Sequence, residues 1–246
     1  MNEPDARVDV SVVVPVYNEE ENVGELAGEI AAALEGRAYE MIFVDDCSSD
    51  GTNDALVALK ATYPALRVLR HGANAGQSRA VRTGVLAARA PIVATLDGDG
   101  QNDPADIPKL VDALARPDAP ADLALVGGRR AKRQDSSWKR FGSKVGNGVR
   151  KRLLKDKTDD TGCGLKAFRR EAFLRLPYFD HVHRFIPALM LREGYEIEFR
   201  DVNHRPRMHG SSKYSNLGRM MASLSDLFGV MWLNSRARQP GSVEER

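Results

Sequence analysis

The residues best suited to bind a metal ion in this chain are Asp97 and Asp99, two carboxylates separated by one glycine. They directly follow residues 92–96, an apolar, β-rich run that predicts a buried strand. In open α/β sheets ligands bind at the carboxyl ends of strands, where such a pair can share a hard divalent cation that also holds phosphate oxygens. The pattern predicts the outline of a nucleotide site. A plain turn is the alternative, since Asp and Gly are common turn residues.

Other metal and phosphate loops do not fit the sequence. An EF-hand counted from Asp97 needs Gly at its sixth position and Glu at its twelfth, where this chain has Asn102 and Pro108. No G-x-G-x-x-G follows a predicted strand, and no G-x-x-x-x-G-K-[ST] occurs. Phosphate must therefore be held by a metal and by side chains.

The elements that must position these carboxylates alternate along the chain. Apolar runs at 8–16, 41–44, 66–69, 92–96, 123–126 and 197–202 predict strands. Helical spacing follows the early strands, around 19–35, 52–59 and 78–89 and after Pro104. Repeated βα units with short connections predict an α/β fold, Rossmann-like, with a mostly parallel sheet and helices on both faces.

Composition favours an ordinary soluble globule, with 42% apolar and 28% charged residues and a net charge of +2. Cys47 and Cys163 form no disulfide framework, and no signal-like segment precedes Val8. The apolar runs are far shorter than the ~20 residues of a spanning helix. We expect a cytoplasmic protein with no segment across the membrane.

A basic block occupies residues 128–157, which hold twelve Lys or Arg against Asp135 and Asp156. Within it, apolar residues from Trp138 to Leu153 recur at helical spacing and predict a basic amphipathic helix. Contact with an anionic membrane surface is our first interpretation, and a solvated or core-packed face is the alternative. Nucleic acid is disfavoured because the block lacks interleaved aromatic residues and zinc-ligand spacing.

A second apolar face lies near the end of the sequence. Its members are Leu217, Met220, Met221, Leu224, Leu227, Phe228, Met231 and Trp232. Core packing and a membrane or partner contact both explain it. We predict a catalytic domain at 1–215, a C-terminal amphipathic helix at 216–234 and a disordered tail at 235–246.

Four motifs together carry a family resemblance. They are Pro15-Val16-Tyr17-Asn18-Glu19, Asp45-Asp46-Cys47-Ser48-Ser49-Asp50-Gly51-Thr52, Asn74 with Gly76, and Asp97-Gly98-Asp99-Gly100-Gln101. With these motifs the chain resembles the inverting family-2 glycosyltransferases. Further likenesses, at Arg129, at 160–164 and at Arg207-x-x-Gly210-x-Ser212-Lys213, are similar to the dolichol-phosphate mannose synthases and polyprenyl-phosphate glycosyltransferases. Gly98 stands where that family usually has Ala.

The resemblance implies a GT-A-like fold and transfer of a hexose, with inversion, from GDP-mannose or a UDP-sugar to a polyprenyl or dolichyl phosphate. It assigns the donor to Pro15, Tyr17, Glu19, Asp45, Asp97 and Gln101, and Mg²⁺ or Mn²⁺ to Asp97, Asp99 and Gln101. It assigns the acceptor phosphate to Arg129, Arg207, Ser212 and Lys213, and catalysis to Asp99, Arg129 and Asp160.

Two rival functions remain open at this point. A transferase acting on a glycan or protein hydroxyl would need a carboxylate base, for which Asp160 is the candidate. A non-catalytic nucleotide-sugar-binding subunit is the other rival. For the lipid acceptor we expect peripheral attachment at the cytoplasmic face of the membrane, either directly or through a small integral membrane protein.

Overall fold

A computed structural model of the chain describes residues 8–130, 153–154, 162–206 and 216–238. In these ranges seven strands form one sheet in the order β3-β2-β1-β4-β6-β5-β7. The strands are β1 Val10–Val16, β2 Tyr39–Asp45, β3 Leu66–Arg70, β4 Ile92–Thr95, β5 Leu123–Arg130, β6 Lys166–Arg169 and β7 Glu196–Val202. Every neighbouring pair is parallel except those of β6, which is antiparallel to β4 and to β5. The predicted α/β fold and mostly parallel sheet are confirmed.

Seven α-helices accompany the sheet in the described part of the chain. They are α1 Val23–Ala33, α2 Thr52–Leu59, α3 Gln77–Ala87, α4 Ile107–Ala115, α5 Arg170–Arg175, α6 Ile186–Arg192 and α7 Asn216–Ser235. Short 3₁₀ turns at Pro104–Asp106 and Val182–Arg184 lead into α4 and α6. The sequence pattern predicted α1 to α4 and α7, but it did not predict α5 or α6.

The core lies on both faces of the sheet. Val12 and Val14 of β1 join the cluster under α1 and α4, whereas Val13 joins the cluster under α3, α5 and α6. Successive side chains of a strand point to opposite faces, so a strand covered on both sides is apolar throughout. This arrangement explains the uninterrupted run of Val in β1.

Helix α7 packs on the second of these clusters through Leu227 and Val230, which are buried. The core-packing interpretation is therefore right for Leu227, whereas Val230 was not part of the predicted apolar face. On the same helix Leu224, Phe228 and Trp232 are 46%, 66% and 60% exposed. None of the helices in the described ranges is long and apolar enough to cross a bilayer.

Several predicted features lie outside the described residues. They are Asp160, Arg207, Ser212, Lys213, most of the basic block, and the tail beyond residue 238. Helix α7 ends at Ser235, one residue beyond the predicted limit of 234. The division into three segments stays a prediction.

Candidate functional site

Three loops meet at the carboxyl edge of the sheet, because β1 pairs in parallel with both β2 and β4. The loops follow Val16, Asp45 and Thr95, the last residues of these strands. They contain three of the four motifs found in the sequence. Parallel pairing is thus what brings together motifs that lie far apart along the chain.

The loops after β1 and β2 are hydrogen-bonded to each other. The backbone N–H of Asn18 donates to Ser48 Oγ (2.9 Å), and Asn18 Oδ1 accepts from the backbone N–H of Ser49 (2.8 Å). Asn18 and Cys47 have φ values of 53° and 64°, in the left-handed region that a short polar residue tolerates better than most. The neighbouring Tyr17 ring is exposed at this edge. These contacts fix the backbone beside the exposed Tyr17 ring, a surface on which a planar base could stack.

Asp45 and Glu19 have defined positions within these loops. Asp45 is fully buried, its Oδ1 accepts from the backbone N–H of Ser48 (2.9 Å), and its Oδ2 lies 3.3 Å from Arg70 Nε. Glu19 accepts a hydrogen bond from Asn22 Nδ2 at 2.7 Å. Both predicted donor residues therefore lie at the edge of the sheet.

Asp46 builds the turn that contains the third motif. Its carboxylate accepts from the backbone N–H groups of Ala75 (2.9 Å) and Gly76 (2.7 Å), and it contacts His71 Nδ1 at 2.7 Å. Its carbonyl oxygen accepts from Asn74 Nδ2 at 3.1 Å. The φ of Gly76 is 84°, a conformation that L-residues rarely adopt. This geometry explains why Asn and Gly occur together in the turn.

The turn reaches the carboxylate pair through Gln77, the first residue of α3. Gln77 Nε2 donates to Asp97 Oδ1 at 2.7 Å. Within the loop after β4, Asn102 Oδ1 accepts from the backbone N–H of Asp97 (3.1 Å), and Asp99 Oδ1 accepts from that of Gln101 (3.2 Å). We call residues 97–103 the carboxylate loop. It contains Asp97, Asp99 and Gln101, the three residues that the sequence analysis assigned to the metal ion.

Two glycines pack tightly around this loop. A Cβ on Gly164 would overlap the carboxylate of Asp97. A Cβ on Gly98 would lie 2.7 Å from Val16 Cγ1 and 2.9 Å from the carbonyl oxygen of Pro15. The glycine at position 98, where the family usually has Ala, is therefore matched to its neighbours in this chain.

The electrostatics of Asp97 suit a cation. Burial, together with the charge of Asp99, raises the pKa of Asp97 to about 6, and Lys166 and Arg130 partly oppose this rise. A divalent ion would relieve the repulsion between the two acids. The described residues contain no group of three or more His, Cys, Asp or Glu arranged around a metal. Two carboxylates completed by donor phosphate oxygens and water form a usual Mg²⁺ ligand set, so the residues fit such an ion.

Arg129 and Arg130 point to different partners. Arg129 Nε donates to Asp201 Oδ1 at 2.7 Å, and this hydrogen bond holds the pKa of Asp201 below its usual range. Of the two arginines, it is Arg130 whose charge lowers the pKa of Asp97, after the larger effect of Lys166. Neighbouring strand residues face opposite ways, so only one of the two can face the carboxylate loop. Sequence reasoning named Arg129 and missed Arg130.

Lys166 is a further residue that the sequence analysis missed. It lies opposite Thr95 in the register of β4 and β6, it is buried, and its Nζ donates to the carbonyl oxygen of Cys163. A lysine inside a short buried strand is itself an unusual signal, because buried Lys is rare without a partner. The signal appears only once β6 is known to be a buried strand, which the sequence pattern did not predict.

His183 and Ser78 form another pair beside the site. His183 Nδ1 lies 2.7 Å from Ser78 Oγ, next to Gln77 at the start of α3. Burial, assisted by the charge of Arg184, lowers the pKa of His183 to about 3. The imidazole is therefore neutral near pH 7 and stabilises the start of α3 without adding charge.

The family model described as Glycosyl transferase family 2 matches residues 11–176. The chain therefore belongs to glycosyl transferase family 2. It is 36% identical to the dodecaprenyl-phosphate galacturonate synthase of Rhizobium johnstonii, with 98% of this chain and 71% of the relative covered. It is 38% identical to the undecaprenyl-phosphate 4-deoxy-4-formamido-L-arabinose transferase of Pseudomonas aeruginosa, with 90% of this chain but only 65% of the relative covered.

Solved structures support the same fold. A mannosyltransferase from Pyrobaculum calidifontis, in complex with GDP-Man and Mn²⁺, superposes with a TM-score of 0.69 at 22% identity over 96% of this chain and 67% of its own. The glucosyl-3-phosphoglycerate synthase of Mycobacterium tuberculosis, with Mn²⁺, UDP and product, gives 0.69 at 17% identity over 98% and 88%. At such identities the likeness establishes the architecture and nothing finer.

Proposed function

We propose that this chain transfers a hexose from a nucleotide-diphosphate sugar to a polyprenyl-type lipid phosphate, with inversion. The observation that carries the proposal is the fixed Asp97 and Asp99 pair in a family-2 chain similar to two named polyprenyl-phosphate enzymes.

The donor lies, in this proposal, across the carboxyl edge of the sheet. Tyr17 and Pro15 cover the base, and Asp45 and Glu19 accept hydrogen bonds from base N–H groups and ribose hydroxyls. Asp97, Asp99 and Gln101 hold Mg²⁺ or Mn²⁺, which supplies positive charge to the departing nucleoside diphosphate. Gln77 orients Asp97, while Lys166 and Arg130 add fixed positive charge nearby.

In this proposal Arg207, Ser212 and Lys213 hold the acceptor phosphate, and Arg129 joins them by exchanging its hydrogen bond to Asp201 for the phosphate. A phosphate monoester has a second pKa of about 6, so it is largely dianionic at neutral pH and needs no strong base. One of its oxygens forms a bond to the anomeric carbon from the side opposite the leaving group. The bond between the anomeric carbon and the donor phosphate oxygen breaks, and its electron pair leaves with the nucleoside diphosphate. The chain's own residues contribute placement and electrostatic stabilisation.

The site of action follows from the acceptor. A polyprenyl phosphate remains in the bilayer, so the enzyme must reach the membrane surface. The exposed side chains Leu224, Phe228 and Trp232 of α7, and the basic block, are our candidates for peripheral contact at the cytoplasmic face, directly or through a small membrane protein.

The test is transfer of radiolabelled sugar from UDP- and GDP-sugars to undecaprenyl phosphate, beside a soluble glycan acceptor. Label extracted with the lipid, absent from the glycan, supports the proposal. Label on the glycan, with loss in Asp160→Asn, favours the hydroxyl-transferring rival. Nucleotide-sugar binding without any transfer favours the regulatory subunit.

A further inference from the structure

The segment that leaves β7 is attached to the carboxylate loop along consecutive residues. The backbone N–H of Arg205 donates to the carbonyl oxygen of Gln101 at 2.9 Å, and Asn102 and His204 form an antiparallel bridge. One residue earlier, the backbone N–H of Asn203 donates to Asp106 Oδ2 at 2.7 Å. The exit of β7 therefore forms a short two-stranded ribbon with the loop that contains Asp97 and Asp99.

The side chain of Arg205 links this ribbon to helix α1 through two ion pairs. Its Nη1 lies 2.6 Å from Glu29 Oε1, and its Nη2 lies 2.7 Å from Asp103 Oδ1. The exposed fractions of the three side chains are 31% for Arg205, 28% for Glu29 and 14% for Asp103. Partial burial reduces solvent screening, so these ion pairs are stronger than those on an open surface.

A contact made by two nitrogens of one side chain, here called two-armed, requires the shape of arginine when it joins two separate carboxylates. A planar guanidinium directs separate N–H groups at two carboxylates, whereas the ammonium group of lysine is a single point charge on a flexible stem. Arg205 thus fixes the distance between α1, the carboxylate loop and the start of the segment that follows β7. Its two partly buried ion pairs also distinguish Arg205 from an arginine that is merely solvated on the surface.

We propose that Arg205 is a positioning residue: by fixing the exit of β7 to the carboxylate loop, it positions the chain at the point from which the acceptor-binding signature continues. Arg207, the first residue of that signature in the sequence, follows two positions later in the chain. The segment that enters the signature and the loop that carries Asp97 and Asp99 are held as one unit by Arg205. This inference rests on the proposed function, because it assumes that the signature binds the acceptor phosphate.

The experiment compares Arg205→Met and Arg205→Lys with wild-type protein and with Arg37→Met as a matched control. Arg37 also makes a two-armed contact, to Asp112 at 2.7 and 2.8 Å, but on the surface away from the site. The measurements are the KM for undecaprenyl phosphate, the Kd of UDP and of GDP with Mn²⁺ by calorimetry, and the Tm.

We expect the acceptor KM of Arg205→Met to rise about tenfold, since ~1 Å of misplacement alone can cost up to about 10²-fold in rate. The Kd for the nucleoside diphosphate should stay within about twofold, because Arg205 contacts neither acid of the pair. Arg205→Lys should recover part of the acceptor KM, and Arg37→Met should leave it at the wild-type value.

An unchanged acceptor KM in Arg205→Met would overturn the inference, as would equal losses of acceptor and nucleotide affinity. If Arg205→Met does not fold, Glu29→Gln removes one arm only and should give a smaller rise in acceptor KM at an unchanged nucleotide Kd. A wild-type protein that transfers nothing to undecaprenyl phosphate, yet binds nucleotide, contradicts the proposed function instead.

Discussion

At the scale of single residues, the orientation of Asp97 depends on groups from distant parts of the chain. Gln77 reaches it from the start of α3, and Gly164 packs against its carboxylate. In the proposed site each contact has a specific consequence, because a carboxylate that holds a metal ion must present its oxygens in one direction. Residues that never touch a substrate can therefore control the site.

Gln77→Ala should weaken Mn²⁺-dependent nucleotide binding about tenfold, because a hydrogen bond to a charged group contributes roughly 1.5 to 3 kcal/mol. Titration of the protein with Mn²⁺ in the presence of UDP or GDP measures this change. Asn53→Ala removes a half-buried amide whose hydrogen bond goes to its sequence neighbour Asp54, so it should have no effect. Equal affinities of the two variants would mean that Gln77 does not orient Asp97.

Gly164→Ala should reduce transfer strongly and lower the free energy of unfolding by about 1 to 3 kcal/mol, because the added Cβ overlaps the carboxylate of Asp97, which must move. Helical Gly24 has no atom within 4 Å of an added Cβ, so Gly24→Ala is the control. Transfer rates and urea unfolding curves of both variants give the two quantities. Normal transfer by Gly164→Ala would contradict the tight contact.

At the scale of elements, β6 and α3 determine how the site is supported. The antiparallel strand β6 brings Lys166 and Gly164 to the carboxylate loop, and the neutral pair of His183 and Ser78 secures the start of α3. The pKa of His183 is about 3 in the folded state, against an ordinary value of about 6.5. The folded state therefore binds fewer protons than the unfolded state between these values, and acid must destabilise it.

Lowering the pH from 7 to 5 should reduce the free energy of unfolding of the wild-type protein by about 1 to 2 kcal/mol through His183. Over this range the imidazole binds a proton in the unfolded state but stays neutral in the folded state. His183→Gln should have a shallower dependence of unfolding free energy on pH in this window. Chemical denaturation at several pH values measures the difference. Identical slopes for the two proteins would show that His183 titrates alike in the folded and unfolded states and would contradict the lowered pKa.

Helix α7 presents apolar side chains to solvent beside others that belong to the core. Phe228→Ser with Trp232→Ser should lower binding to vesicles of anionic phospholipid, while unfolding free energy changes by about 0.5 kcal/mol or less, as usual for exposed sites. Val230→Ala, on the buried side, should show the reverse pattern. Co-sedimentation with vesicles separates the two. If the double variant binds vesicles as fully as the wild-type protein, the exposed side chains of α7 do not contact the membrane, and the helix serves only to pack on the core.

At the scale of the whole molecule, the sequence predicted what depends on local pattern. The Val-rich β1, the acids after β4 and the helices α1 to α4 follow from periodicity and from strand-end motifs. The short strand β6 has only the four residues Lys166–Arg169, too few for alternation to reveal it or its antiparallel direction. Arg130, Lys166 and Gln77 acquire their roles through tertiary neighbours, which a linear pattern does not contain.

The carboxylate loop is the point at which sheet, donor loops and the segment after β7 converge, and the central claim is that its two acids hold a metal ion for sugar transfer to a lipid phosphate. The most direct test is the initial rate of lipid-linked sugar formation from undecaprenyl phosphate, measured for wild-type protein and Asp99→Asn over a Mn²⁺ titration. The account predicts saturable dependence on Mn²⁺ in wild-type protein and a loss of at least about 10²-fold in the variant, as for removal of one preorganised electrostatic contact. Wild-type rates in EDTA, or full activity of Asp99→Asn, would contradict it.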